Sequence, residues 1–555
     1  MSLSLIGDGP PLRADIAAEL SRLLSSLEAA ATHMLGFQAN QDLDYSALAD
    51  FLRFNANNIG DPYVDSNYGV SSREMERAVL DYMARLLHAE GQPWWGYVTS
   101  GGTEANLYGV YIGRNRLETM TAGRAVTPQP IAYYSEDSHY SIGKAMDILR
   151  VPSTRVASDE QGRIRVPALV EAVLRAGVEM HPPLIVANVG TTFTGAYDDV
   201  EAIIEALDAA NIMEYHLHVD GALGGFVLPF LEQSAKPDRR VPRFDFRLPI
   251  SSIAVSGHKV IGAPFPCGVF LTRKENLAYG NSRLIEYVGS IDTTLAGSRS
   301  GLAPIVLWYA IATHGTAGFT EQCERMLDTA EYAESRLSKG GWRPRRADLS
   351  LSIVFDRPPD WVVRKWSLST QGEECHIYAM AHMTRERIDA LLEDLDVVRR
   401  VLDLTGVADD TKVLDVPQAL RNIDLLAGLE PEDLWRVGRV ATERRLSAGT
   451  YLCRQGEPGD EMYIVVEGEV DVIEDGAASD RERVTFVAKH GMAVGEIAVL
   501  TDMPRIASLR CRTDVHLLVI NGRDFRTLMH ELPAISTRIV ETLVRRLVAT
   551  GAGPR

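Results

Sequence analysis

The chain has 555 residues, enough for roughly two to four domains, and its 46% hydrophobic and 24% charged residues are ordinary for globular protein. Its formal net charge of −18, from 57 Lys+Arg against 75 Asp+Glu, sets a field that opposes wrapping by nucleic acid or anionic lipid. No run of eighteen apolar residues occurs, and MSLSLIGDGPPLRADIAAEL lacks the basic-then-apolar order of a secretory signal, so no membrane span and no export are expected.

The five cysteines, Cys267, Cys323, Cys375, Cys453 and Cys511, are scattered and form no CxxC pair. Neither a disulfide framework nor a zinc site is suggested, and the expected setting is cytoplasmic, with reduced thiols and no metal.

In chain order, residues 13–35 place Ile16, Leu20, Leu23, Leu24, Leu27 and Met34 near helical spacing, an amphipathic helix that needs a partner surface. From about 95 to 275 short apolar runs alternate with helical stretches. PLIVANV (183–189), HLHVD (216–220), SIAVS (252–256) and GVFLT (268–272) are predicted strands, and DDVEAIIEALDAANI (198–212) a helix between the first two. Strand–helix–strand order of this length predicts an α/β fold with a mainly parallel sheet covered on both faces. No G-x-G-x-x-G follows a strand and no G-x-x-x-x-G-K-[ST] occurs, which removes support for dinucleotide and Walker-type sites. A polar stretch, TGVADDTKVLDVPQA (405–419), is the best linker candidate. Beyond it the pattern is all-β, with glycines at turn spacing, and YIVVEGEVDVIEDG (463–476) alternates like the hairpin of a small barrel. ISTRIVETLVRRLV (535–548) is a predicted closing helix.

Polar residues cluster where the predicted strands end, which is where open parallel sheets place ligands. TSGGTEAN (99–106) is a small-residue turn entering a helix, suited to a phosphate or, alternatively, a plain cap. Asp220 ends an apolar strand, and a carboxylate there needs a cation or a strong donor. His258 and Lys259 end another, where desolvation would turn the lysine into a reactive amine unless it snorkels to the surface. SEDSHYS (135–141) adds a third imidazole, His139. A phosphate cradle, a carboxylate for a ring nitrogen, a flat imidazole and a buried lysine together match the needs of pyridoxal 5′-phosphate.

At this point the chain resembles the group II pyridoxal-phosphate amino acid decarboxylases, in the bacterial histidine and plant serine decarboxylase branch. The matching stretches include NNIGDPYVDSNYGVSSREMERAVLDYMARL (57–86), WWGYVTSGGTEANLYG (94–109), YYSEDSHYSIGKA (133–145), NVGTTFTGAYDDV (188–200), HVDGALGGFVLPF (218–230), VSGHKVIGAPFPCGVF (255–270) and TTLAGSRSGLAPIVLWYAI (293–311), and the similarity covers roughly residues 35–395. The resemblance implies the aspartate aminotransferase fold (fold type I) and α-decarboxylation of an L-amino acid. It implies Lys259 as the Schiff-base lysine, His258 beside it near the phosphate, His139 stacked on the pyridine ring, Asp220 at the ring nitrogen and Ala222 on the other face. Ser100, Gly101, Gly102, Thr103 and Ser256 are implied for the phosphate shell, and Thr191 and Thr192 for a turn near the cofactor. The family's homodimers build sites at the subunit interface, so Ser298 and Arg299 are expected to reach across. His139 and His258 both qualify to return a proton to Cα. Histidine is the first substrate expected, with methionine, valine, leucine or serine as alternatives. A cysteine desulfurase shares the S-x-H-K pattern, but needs a nucleophilic cysteine on a mobile loop, for which Cys375 is the local candidate.

Residues 444–476 with GEIAVLTDMPRIAS (495–508) resemble a cyclic-nucleotide-binding domain, a small double-stranded β-helix barrel. The resemblance implies that Gly495, Glu496, Arg505, Ile506, Ala507 and Ser508 form its phosphate-binding cassette, Arg505 meeting a cyclic phosphate and Glu496 a ribose hydroxyl, with cyclic AMP or cyclic GMP as ligand. Ile506 replaces a usually smaller residue, and the closing helix lacks an aromatic lid. A nucleotide-responsive transcription regulator would carry a helix-turn-helix after that helix, where about seven residues remain. The expected organisation is 1–56 (helical, dimerisation), 57–310 (large domain), 311–404 (small domain), 405–422 (linker) and 423–555 (cyclic-nucleotide-binding-like).

Overall fold

The computed structural model describes residues 13–120, 129–234, 236, 239–280, 282–405, 441–474, 483–501 and 503–531. The chain forms two compact units, residues 1–356 with 366–388, and residues 357–365 with 389–555.

The first unit begins with α1 (Arg13–Thr32), where the expected amphipathic helix forms. Its Ile16, Leu20, Leu23, Leu24 and Leu27 all point outward, between 41% and 62% exposed. α2 (Arg73–Leu86) instead buries Val79, Leu80 and Met83. Seven strands follow: β1 (Trp94–Thr99), β2 (Ile131–Ser135), β3 (Ser153–Val156), β4 (Pro183–Asn188), β5 (His216–Asp220), β6 (Ser252–Ser256) and β7 (Gly268–Arg273). They form one sheet in the order β1-β7-β6-β5-β4-β2-β3. Helices α3 (Gly102–Met120), α4 (Tyr140–Leu149), α5 (Val166–Ala176), α6 (Val200–Ala209) and α7 (Leu228–Gln233) supply its crossovers and cover.

The strands β2 to β6 pair in parallel, and the uninterrupted burial of β4, β5 and β6 explains why they read as apolar runs rather than alternating ones. β7 departs from the parallel expectation, running antiparallel to both β6 and β1. Residues 257–267 join β6 to β7 without a helix, and a parallel return needs a crossover of about a dozen residues or more. That short connection carries His258 and Lys259.

α8 (Leu302–Lys339) then runs along α2 and α7, with non-helical backbone at Gly315. By length and composition alone it is apolar enough to cross a membrane. Thr313, His314 and Thr316 interrupt it, so it holds no run of eighteen apolar residues. The hairpin β8 (Arg283–Ile285) and β9 (Ser290–Asp292) precedes it. A smaller antiparallel sheet follows, β10 (Ser352–Asp356), β11 (Ser369–Gln371) and β12 (Glu374–Tyr378) in the order β10-β12-β11. α9 (Asp360–Lys365) and most of α10 (Arg385–Thr405) belong to the second unit.

The second unit also holds two four-stranded antiparallel sheets. One is built from β13 (Thr442–Leu446), β15 (Glu461–Glu467), β18 (Ala493–Val494) and β20 (Val515–Asn521). The other holds β14 (Tyr451–Cys453), β16 (Val470–Glu474), β17 (Arg483–Ala488) and β19 (Ser508–Cys511). Tyr463, Val465, Leu517 and Val519 of the first sheet and Val470, Leu509 and Cys511 of the second share one core. Of the stretch 463–476, the described residues 463–474 are therefore two strands but not a hairpin: β15 pairs with β20 and β18, whereas β16 pairs with β19 and β17. Alternation marks a half-buried strand without naming its partner. The crossing point is Gly468, at φ +88°, where a Cβ would lie 2.3 Å from the Asp514 carbonyl oxygen. α11 (Glu496–Thr501) and α12 (Gly522–Glu531) complete the unit. The predicted closing helix 535–548 and linker residues 406–422 lie outside the described residues.

Candidate active site

The C-terminal ends of β4, β5 and β6, the loop after β2 and the first turn of α3 converge on one pocket. Of the sequence-predicted residues, Gly102, Thr103, His139, Thr191, Thr192, Asp220, Ala222, Ser256, His258 and Lys259 line it. Burial pushes the Lys259 amine below its ordinary range, with the Asp220 carboxylate pulling the other way. His139 is lowered by burial and by Lys259, again opposed by Asp220. Its Nδ1 accepts the backbone N–H of Ser141 (3.3 Å) and lies 2.7 Å from the Ser141 hydroxyl, so the ring caps α4. His258 is lowered by burial, and its Nδ1 faces the Cys267 carbonyl at 3.3 Å.

Asp220 is 6% exposed. One of its oxygens accepts Asn106 Nδ2–H at 2.9 Å and the other the Ala222 backbone N–H at 3.2 Å. Asn106 also lines the pocket, as do Ser141, Asn188 and Gly190, and none of these four was singled out from sequence. A signal for Asn106 existed. In HLHVD the alternation of a strand puts His216, His218 and Asp220 on one face, and a polar face on a buried strand requires polar partners opposite.

The turn holding Thr191 and Thr192 is gripped from outside. Tyr378 Oη donates to Thr191 O (3.3 Å), Gln38 Nε2 to Thr192 O (2.8 Å), Ser352 Oγ to Phe193 O (2.6 Å) and Ser350 Oγ to Thr194 O (2.9 Å). His376 Nδ1 also meets Phe193 O at 2.7 Å. With its carbonyls engaged on one side, the turn presents its other side to the pocket.

Ser100, Gly101 and Ser298 lie outside the lining formed by this single chain. The Ser100 N–H donates to Glu104 Oε2 (2.8 Å), and Ser298 is exposed, accepting from Asn57 Nδ2 (3.1 Å). Arg299 turns inward: its guanidinium is ion-paired with the fully buried Glu76 and donates to Gly60 O (3.0 Å). Cys375 is fully buried in β12, with Sγ 3.6 Å from Asp356 O, and not on a loop.

In the barrel, Gly495 has φ +83° and Glu496, 5% exposed, opens α11. Arg505, also 5% exposed, donates Nη1–H to Gly495 O (3.0 Å) and Nη2–H to Glu461 O (2.7 Å), over the Tyr463 ring at 5.7 Å. Its Nε–H is buried with no acceptor among the described residues. Ile506 is half exposed, while Ala507 and Ser508 are buried.

A seven-stranded, mostly parallel sheet with this pocket at its strand ends defines a pyridoxal-phosphate-dependent enzyme of the aspartate aminotransferase fold. Residues 17–342 match the pyridoxal-dependent decarboxylase conserved domain and residues 443–531 the cyclic nucleotide-binding domain. Histidine decarboxylase of Morganella morganii is 39% identical over 364 residues, which cover 65% of this chain and 91% of that one. Serine decarboxylase 1 of Oryza sativa subsp. japonica is 37% identical over 384 residues, covering 69% and 76%. The solved structure of L-methionine decarboxylase from Streptomyces sp. 590 superposes at a TM-score of 0.66 with 29% identity, over 71% of this chain and 97% of that one. The chain belongs to the pyridoxal-dependent decarboxylase family, in its group II histidine and serine decarboxylase branch, and carries a cyclic nucleotide-binding domain. It is an amino acid decarboxylase, a carboxy-lyase.

Proposed function

We propose that the chain removes the α-carboxylate of L-histidine to give the amine and CO2, with Lys259, Asp220, His139, Thr103 and Ser256 as the working residues of the pocket. The observation that carries the reading is their convergence on a single pocket in a chain of this family. Histidine is preferred because the Morganella histidine decarboxylase combines 39% identity with 91% coverage of its length, against 37% and 76% for the rice serine decarboxylase and 29% and 97% for the Streptomyces methionine decarboxylase.

The donor set fits the cofactor. α3 begins at Gly102, and with the Thr103 and Ser256 hydroxyls its free N–H groups suit a phosphate; a Cβ on Gly102 would sit 2.8 Å from Ser256 Oγ and close that space. Asp220 suits a protonated ring nitrogen, and Ala222 leaves room for a flat ring opposite His139. When bound, pyridoxal phosphate supplies the electron sink that makes loss of CO2 feasible. The lowered pKa of Lys259 leaves more of its amine uncharged near neutral pH, ready to hold cofactor. Of the two imidazoles, His139 is the better proton donor toward Cα. Its Nδ1 accepts from Ser141, so the neutral ring carries its proton on Nε2, whereas His258 spends its proton on Cys267 O and leaves Nε2 bare.

The outward apolar face of α1 fits a second copy of the chain, in a homodimer where Ser298 meets the partner's pocket. The barrel is read as a cyclic AMP or cyclic GMP sensor that adjusts the decarboxylase. Arg505 supports this, because a buried donor without an acceptor costs about 1–3 kcal/mol, which a phosphate oxygen would remove.

The test is full-length protein with pyridoxal phosphate, screened against the twenty amino acids for CO2 release. Histidine is expected to turn over fastest; serine or methionine ahead of it would replace the substrate. No CO2 from any amino acid, with the visible absorbance surviving Lys259→Ala, refutes the site.

A further inference from the structure

Beside Asp220, running inward from the pocket-lining Asn106, lies a row of buried polar side chains that the proposed chemistry leaves unused. We propose that Asn106, His218 and Ser252 act as a positioning strut that fixes the aim of the Asp220 carboxylate. The proposal rests on the assignment of Asp220 to the ring nitrogen. Asn106 is 2% exposed, and His218 and Ser252 are fully buried.

The direction of every hydrogen bond in the row follows from its acidic end. A carboxylate only accepts, so Asn106 turns Nδ2–H toward Asp220 at 2.9 Å. Its Oδ1 then faces His218 Nε2 at 2.9 Å, and that nitrogen must carry the imidazole proton. His218 Nδ1 is left bare, and the Ser252 hydroxyl, 2.8 Å away, donates to it. Reversing any one member sets acceptor against acceptor at the next. Burial pushes His218 down to about 3, so the ring holds one proton across the working range and its tautomer does not wander.

The backbone builds this row. His218 and Asp220 are two apart on β5 and share a face, and α3 brings Asn106 and Gly109 over them. A Cβ on Gly109 would lie 2.4 Å from His218 Nδ1, so the ring fills the space a side chain would take. An amide does not relay a proton, so the row holds the carboxylate rather than feeding it. The charged and titratable groups facing Asp220 in the pocket are His139 and Lys259, and the members of the strut are themselves neutral.

The experiment compares Asn106→Val with Asn106→Thr in the full chain loaded with pyridoxal phosphate. The two side chains have the same shape, but only threonine can both donate to Asp220 and accept from His218. The readouts are the cofactor dissociation constant and the pH midpoint of the cofactor's visible absorbance. A loosely aimed Asp220 leaves the ring nitrogen protonated less often, so the nitrogen joined to Lys259 becomes more basic and the midpoint rises. For Asn106→Val a rise of about one pH unit, tenfold in basicity, is expected, with cofactor bound about tenfold more weakly. Asn106→Thr is expected to restore most of both. Ser252→Ala frees the His218 tautomer and is expected to shift the midpoint the same way by less; if Asn106→Val does not fold, this variant decides, and an unmoved midpoint overturns the strut. Equal shifts in the valine and threonine variants also overturn it, leaving Asn106 as packing. Asp220→Ala separates the two readings. A shift there with none in Asn106→Val refutes the strut alone, whereas no shift in Asp220→Ala refutes the assignment of Asp220 and the strut with it.

Discussion

Replacing Glu76 with glutamine tests how the active-site half of the chain is held together. Glu76 is fully buried and its Oε1 takes both the Arg299 guanidinium and the Val98 N–H (2.9 Å), while Oε2 takes Asn58 Nδ2 (2.8 Å). The substitution keeps the shape but leaves Arg299, 6% exposed, without its counter-ion. Breaking a buried pair from one side costs about 3–5 kcal/mol. The glutamine oxygen can still serve one donor, which favours the lower end. The shift is roughly 2–4 °C per kcal/mol for a domain of about 150–250 residues and about 1–1.5 °C for a unit of this size, so the melting temperature should fall by about 3–6 °C. Differential scanning calorimetry of the cofactor-free protein at one scan rate measures it. The paired replacement Glu76→Met with Arg299→Leu removes the uncompensated charge but strands the Val98 N–H and the Asn58 amide, at about 1–3 kcal/mol each, so it should not return to the wild-type value. A fall under about 2 °C for Glu76→Gln refutes the reasoning.

Three further outcomes follow from the same geometry. Burial lowers the Lys259 pKa, so cofactor-free protein should take up pyridoxal phosphate at a rate that rises with pH and levels off below the free-lysine value of 10.5; a midpoint at or above 10.5, by stopped-flow absorbance, contradicts the desolvated amine. Arg505→Ala should abolish the calorimetric heat of cyclic AMP or cyclic GMP binding to the full chain, and unchanged heat removes the proposed pocket. Ser350→Ala strips Thr194 O of its donor and the Ser352 N–H of its acceptor, which should cost about 1–3 kcal/mol in denaturant unfolding and weaken cofactor retention; wild-type values for both would show the grip on that turn to be dispensable.

The strands that carry the site were readable because burial on both faces leaves a plain composition signal. HLHVD and SIAVS coincide with β5 and β6 to the residue. Direction and partner were not readable, since both depend on connections and distant strands: β7 turns back because its connection lacks a helix, and β16 abandons β15 for β19. The same limit applies within the site. Lys259, Asp220 and His139 announce themselves as polar residues at strand ends. Asn106 sits inside a helix, where an amide is ordinary, and only the fold brings it 2.9 Å from a carboxylate more than a hundred positions away. Arg299, next to Ser298 in sequence, was expected to share its outward role, yet one residue of offset turned it to Glu76.

The grip on residues 191–194 has a consequence for biosynthesis. Their carbonyls are held by Gln38, near the start of the chain, and by Ser350, Ser352, His376 and Tyr378, more than 150 positions downstream. A ribosome adding about 5–20 residues per second needs on the order of ten seconds or more to travel from Gly195 to Tyr378. Late in that interval Lys259 can already have emerged, while the turn beside it has yet to receive its downstream restraints. A chain truncated ahead of Ser350 would accordingly carry Lys259 beside a turn whose carbonyls lack these downstream donors.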